Sequence, residues 1–93
     1  MLKIFYSKDY EKSLKKLVKA GKIEILEIDE VINKIASQEK LPIKNRDHKL
    51  KGDFDGYREC HIRPDILLIY KIIDDSLLLY IVDIGSHSQL FGM

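Results

Sequence analysis

Two apolar runs near the end of the chain, Ile66 to Ile73 and Leu77 to Ile84, constrain its fold more than any other feature. Each has the length of a strand and is rich in β-branched and aromatic residues. Asp74-Asp75-Ser76 between them is turn chemistry, so the pair reads as a β-hairpin. Both runs are apolar almost throughout. Neither has a solvent face, which suits central positions in a sheet that other elements must cover.

The rest of the chain supplies those elements. Leu2 to Tyr6 suits a first strand, after which Ser7 can cap a helix with Asp9 in its first turn. Tyr10, Leu14, Leu17 and Val18 recur at helical spacing and predict one buried stripe, with the lysines outward and Gly21 as the stop. A second helix is predicted from about Ile23 to Gln38, with Ile28, Val31, Ile32 and Ile35 inward. Leu41-Pro42 ends it, because the residue before proline disfavours helical geometry. Ile43 to Gly56 is polar, holds two glycines and reads as a loop.

From Tyr57 the period changes to two. Cys60 and Ile62 are expected to face the helices, leaving Tyr57, Glu59, His61 and Arg63 on the opposite face. Pro64-Asp65 marks the turn into the apolar hairpin. The order is β-α-α-β-β-β, an α+β fold with two N-terminal helices on one face of a mostly antiparallel sheet.

At 93 residues this is expected to be a single domain, residues 1–93. No apolar stretch approaches the roughly 18 residues needed to span a bilayer, and no signal peptide is visible. The lone cysteine, Cys60, excludes an internal disulfide and fits a reducing compartment, so the cytoplasm is expected. The net charge of +1 argues against a generally basic coat, yet the charges are segregated. Residues 1–22 carry net +5, 23–39 net −4, 40–63 net +3 and 64–93 net −3. Such blocks can attract phosphate or an acidic partner, or simply solvate a helix face.

All three histidines, His48, His61 and His87, lie in the second half, on segments that a small sheet can bring together. Histidine is the usual general acid or base near neutral pH. Cleaving RNA without a metal needs a base for the ribose 2′-hydroxyl, an acid for the leaving 5′-oxygen and cations for the charged phosphorane. Histidines and carboxylates fit the first two roles, and Lys49, Lys51, Arg58 and Arg63 fit the third. Phe91 can offer an aromatic face to an unstacked base, or else plug the core. The histidine spacings match no compact metal motif, and Cys60 points away from His61, so neither metal nor another cofactor is expected. Phosphate-cradling glycine loops and nucleophile elbows are absent.

Three segments, in order, carry a more specific signal: DHKLKG (Asp47 to Gly52), RECHIRPDILLIYKI (Arg58 to Ile72) and GSHSQLF (Gly85 to Phe91). Together they resemble the YafQ branch of the RelE superfamily of bacterial toxins. The resemblance implies a ribosome-dependent endoribonuclease that cuts mRNA in the decoding site. It also implies a cognate DinJ/RelB-like antitoxin, operator DNA contacted only through the antitoxin complex, and no membrane partner. By motif position it implies His48, His61, Asp65, His87 and Phe91 as active residues, with Glu59 where relatives carry an acid. Within the family His87 is associated with proton transfer and Phe91 with organising the substrate base.

Two positions depart from the family pattern. Asp83 stands where relatives often carry arginine, and Ile66 where some carry tryptophan. An aspartate would repel a developing phosphorane, so Arg63, Arg58 or Lys51 would have to supply the cation. The competing reading is a non-cleaving protein of the same fold, which poisons another target as ParE-like relatives do or serves as an antitoxin-bound repressor component. That reading predicts a site without acid–base residues, and the three histidines speak against it.

Overall fold

The computed structural model describes residues 1–92. Its elements run β1 (Lys3–Tyr6), α1 (Lys8–Lys19), α2 (Ile25–Ala36), β2 (His48–Lys49), β3 (Arg58–Arg63), β4 (Ile66–Ile73), β5 (Leu78–Gly85) and α3 (His87–Phe91). The five strands form one sheet in the order β1-β5-β4-β3-β2, antiparallel except for the parallel pair of β1 with β5. The apolar hairpin β4–β5 therefore lies inside the sheet, as its lack of a polar face requires. Its turn is a single tight 3₁₀ turn, Asp74–Ser76, closed by Leu77 in the left-handed region.

One layer of core forms where α1 and α2 cover the sheet. Tyr10 and Leu17 come from α1, and Ile28, Ile32, Ile35 and Ala36 from α2. They meet Cys60, Leu68, Tyr70, Leu79, Ile81 and Ile84. Each fully buried aliphatic side chain contributes about 1.5–3 kcal/mol. Val18, expected in the buried stripe, is exposed at its edge, about 100° round the helix from the buried Leu17. Ser7 caps α1 by accepting from Tyr10 N and also donates to the Val82 carbonyl, fixing the helix to β5. Gly21 takes the expected left-handed conformation, φ +69°. Among the described residues, no helix is long and apolar enough to cross a membrane.

Four elements were not foreseen. The polar segment before β3 contains the short edge strand β2 between two 3₁₀ turns, Ile43–Asn45 and Gly52–Phe54. Beyond β5 the chain turns into α3, started by a capping box in which Ser86 and Gln89 exchange hydrogen bonds. A Cβ at Gly85 would stand 2.8 Å from Gln89 Oε1, so a larger residue there would displace that side chain from its bond to Ser86 N.

Candidate active site

β3 organises the site. The alternation of the strand puts Cys60 into the helix-covered core and turns Glu59 and His61 to the other face. Cross-strand pairing then sets the neighbours. His48 on β2 lies opposite Glu59, and the row His61–Leu67–Gly85 crosses β3, β4 and β5. His87 follows two residues after Gly85, in the first turn of α3, so the end of β5 delivers the third imidazole.

All three imidazoles converge on one carboxylate oxygen. Glu59 Oε1 lies 3.7 Å from His48 Nε2, 3.6 Å from His61 Nε2 and 3.9 Å from His87 Nε2. The face expected to be open is thus roofed. The Glu59 side chain is 3% exposed, His61 12%, His48 50% and His87 57%, giving a buried acid as floor and two imidazoles at the rim. Two of the rings have their second nitrogen engaged. His48 Nδ1 is 2.6 Å from the Arg46 carbonyl and His61 Nδ1 is 3.3 Å from the Pro64 carbonyl. A carbonyl only accepts, so these bonds place a proton on each Nδ1 and turn each Nε2 toward Glu59. The ligand atoms of Glu59, His61 and His87 lie within 4.8 Å of one another, a set that local spacing along the chain did not suggest.

Phe91, at the end of α3, packs beside His87 at 5.5 Å between ring centroids and meets Phe54 edge-on at 5.1 Å. It is partly exposed and stands outside the core cluster, so its core-plug alternative falls away. Phe54 is a site-bordering residue that sequence reasoning missed. Its signal was a lone aromatic between Gly52 and Gly56 in an otherwise polar stretch.

The expected cations divide differently. Arg58 is held by Asp47, with Nη2 to Oδ2 at 3.0 Å, and its Nε also donates to Tyr70 Oη at 3.3 Å. The bond to Asp47 raises the Arg58 pKa further, and burial followed by the bond to Asp47 raises that of Tyr70. This network anchors the residue next to His48. Arg63, expected beside His61, is instead paired with Glu27 of α2 through Nε and Nη2, at 3.0 and 2.7 Å, and Nη1 donates to the Lys22 carbonyl. The cause is a bulge. Between His61 and Arg63 the pairing with β4 slips, which takes Arg63 out of the alternation. Tyr57 lies under Lys71 Nζ at 5.0 Å.

Lys49 and Lys51 are exposed and have no ion-pair partner among the described residues. Lys49, one residue after His48, lines a separate cavity of about 360 Å³ with Tyr57, Arg58 and Ile72. Asp65 and Asp83 do not reach the histidines through any contact among the described residues. Both line a cavity of about 460 Å³ between α1 and the end of β5. There Asp83 accepts from Ser13 Oγ at 2.7 Å and from Ile84 N at 2.8 Å, so it ties α1 to the sheet. Asn45 is another unforeseen support: buried, it donates to the His61 carbonyl at 2.7 Å and holds the strand behind the imidazole.

Known proteins resemble this chain in sequence and fold. The family model for the bacterial toxin of type II toxin–antitoxin systems, YafQ, matches residues 2–92. The mRNA interferase toxin YafQ of Escherichia coli strain K12 is 37% identical over 87 residues, covering 94% of this chain and 88% of that protein. A metal-bound toxin from Helicobacter pylori superposes with a TM-score of 0.92 at 43% identity, covering 98% of this chain and all of that one. YafQ in the E. coli DinJ–YafQ toxin–antitoxin complex superposes at 0.86 and 34% identity, covering 99% and 100%. Fold and sequence agree across nearly the full length, and the chain belongs to the YafQ family of bacterial toxins of type II toxin–antitoxin systems.

Proposed function

We propose that this toxin is an endoribonuclease that cuts mRNA on the ribosome without a metal, through the imidazoles gathered at Glu59. The observation that carries the reading is the approach of three Nε2 atoms to within 3.6–3.9 Å of Glu59 Oε1, beside a partly exposed aromatic ring. Two or more imidazoles at one place supply what RNA self-cleavage needs. One takes the proton of a ribose 2′-hydroxyl, and that oxygen attacks the adjacent phosphorus. The bond from phosphorus to the 5′-oxygen breaks, and a second imidazole gives that oxygen a proton. The products are a 2′,3′-cyclic phosphate and a 5′-hydroxyl.

His87, on the rim in the first turn of α3, is assigned proton transfer, with His48 and His61 as its partners. Glu59 lies too deep to touch substrate and orients the rings. Phe91 faces the substrate base, with Phe54 behind it. Lys51 takes the place of the family's arginine at the phosphate, since Arg58 and Arg63 are engaged elsewhere. Asp65, in the neighbouring cavity, is given no proton to transfer. The protein acts in the cytoplasm as one domain, and a DinJ-like antitoxin holds it inactive and carries any operator contact. A ParE-like action without cleavage gains no support from this acid–base cluster. The test is to induce the protein in bacteria and map new mRNA 5′ ends. New ends are expected with the natural chain and not with His87→Ala; growth arrest without new ends, or equal cleavage by the variant, overturns the reading.

A second reading of the same residues is metal binding. The mutual approach of the Glu59, His61 and His87 ligand atoms favours it, as does the metal-bound state of the H. pylori relative.

A further inference from the structure

Beyond the roofed histidine cluster, the same face of the sheet carries a second pattern. On β1, Ile4 packs against the core and Tyr6 stacks on Tyr10 of α1, so alternation turns Lys3 and Phe5 to the face without helices. Register then carries a line across the sheet. Phe5 pairs with Tyr80 on β5, and Tyr80 pairs with Lys71 on β4. Lys71 Nζ lies over the Tyr57 ring at 5.0 Å, and Lys3 Nζ lies 5.7 Å from the centre of the Phe5 ring. The line reads Phe5–Tyr80–Lys71–Tyr57, with Lys3 beside its first ring and no carboxylate among its members. Phe5 is 47% exposed and Tyr80 37%, so these rings are not core. Neither lysine has an ion-pair partner among the described residues. Tyr57 precedes Glu59 by two residues, and Lys71 follows Ile69, the partner of Glu59, by the same step. The line therefore runs one repeat of the strand face, about 7 Å, from the carboxylate that gathers the imidazoles.

Resting on the ribonuclease reading, we propose that this line is a platform for single-stranded RNA, holding message bases that flank the cut. Unstacked bases lie on aromatic side chains, and ammonium groups meet the phosphates between them. A duplex keeps its base faces inside its own stack, so exposed rings select a single strand. Exposed aromatics scattered singly are ordinary on protein surfaces. Here they are register neighbours, interleaved with cations, on the face that also bears Glu59 and His61. The unpaired lysines favour a polyanion over an apolar protein segment. A strand held at Tyr57 reaches the histidines without leaving the face, so the platform fixes where along the message the cluster acts.

Fluorescence anisotropy tests this with a short labelled RNA whose riboses are all 2′-O-methylated, so that it binds and cannot be cut. The same strand annealed to its complement is the comparison, and urea midpoints check that each variant is folded. Phe5→Leu and Tyr80→Leu keep apolar bulk without a ring and should each weaken binding about fivefold or more, whereas Tyr80→Phe should keep most of it. Lys71→Gln should lower the slope of log affinity against log salt by about 0.7. The duplex should bind more weakly than the strand. Isotherms unchanged in both leucine variants, no binding of the strand by the natural chain, or equal affinity for the duplex overturns the platform. Loss of antitoxin binding in those variants with RNA affinity intact overturns it too, and gives the face to a protein partner. Cleavage of ribosome-bound mRNA is measured beside the isotherms. If the natural chain cuts and the isotherms do not follow the rings, only the platform falls. If it fails to cut while the isotherms do follow them, the cleavage reading falls and a face that binds single strands stands.

Discussion

Glu59 and Cys60 are neighbours on β3 and almost equally buried, yet the two faces of the sheet put them to opposite uses. Cys60 looks into a core of isoleucine, leucine and tyrosine under α1 and α2, where burial pushes its thiol up to about 12. It is a small apolar filler, inert at neutral pH. Glu59 looks the other way and is ringed by three imidazoles. Burial alone therefore does not mark a residue as structural. On one face it is achieved by helices that exclude polar groups, on the other by the imidazoles themselves. A polar cluster closed by its own members sets its buried carboxylate among imidazoles and still opens to solvent at the rim.

That contrast can be broken in several places. The largest effect is expected from the histidine face: His87→Ala should lower cleavage by about 10²–10⁴-fold. Because the side chain is more than half exposed, the denaturation midpoint should hardly move; a large fall in stability would mean that His87 belongs to the scaffold. On the covered face the order reverses. Leu68→Ala should cost about 2–5 kcal/mol in denaturant unfolding, with the specific activity of the remaining folded protein unchanged.

Arg58→Ala joins the two regions. It should cost about 1–3 kcal/mol by releasing Asp47 and Tyr70, and cleavage should drop several-fold as His48 loses its anchor. Arg58→Lys should restore little, lacking the planar fork; full activity in either variant would detach the network from the site. Alkaline pH probes Cys60 itself. Its folded proton is held more tightly than the ordinary value of 9.0, so the unfolded chain releases it first, and stability falls as pH rises from 9 toward 12. The loss is up to about 1.4 kcal/mol per pH unit and should be missing from Cys60→Ala in unfolding curves at pH 8 and pH 10. The smallest effect is expected from Arg63→Ala, whose ion pair with Glu27 sits at the surface. Cleavage should stay within twofold of the natural chain, and a large loss would return Arg63 to the phosphate.

What the chain made legible followed from pattern. The period-two stretch at β3 separated Cys60 from Glu59 and His61, the apolar hairpin found its central place, and both long helices lie where their apolar stripes put them. The three histidines came together because they sit on or just beyond strands that pair in one sheet. What stayed hidden depends on single-residue slips and on contacts between distant segments. One bulge after His61 sends Arg63 to α2, and no periodicity announces a bulge. Arg58 reads as a free cation until Asp47 and Tyr70, eleven residues before it and twelve after it, are seen around it. The depth of Glu59 escaped for the same reason, since a carboxylate in an alternating strand looks solvated until rings from three segments close over it. Asp83 was legible as a departure, but its bond to Ser13 of α1 was not.

The central claim is that the imidazoles gathered at Glu59 drive attack by the ribose 2′-hydroxyl. It is tested most directly by presenting the purified toxin, in EDTA-treated form, with ribosome-bound mRNA carrying one 2′-deoxynucleotide at the cut position. The account predicts cleavage of the all-ribose message to a 2′,3′-cyclic phosphate and no cleavage at the deoxy position. Cutting of the deoxy message at the natural rate would contradict it, because the nucleophile would then be something other than the hydroxyl that the histidines are placed to activate.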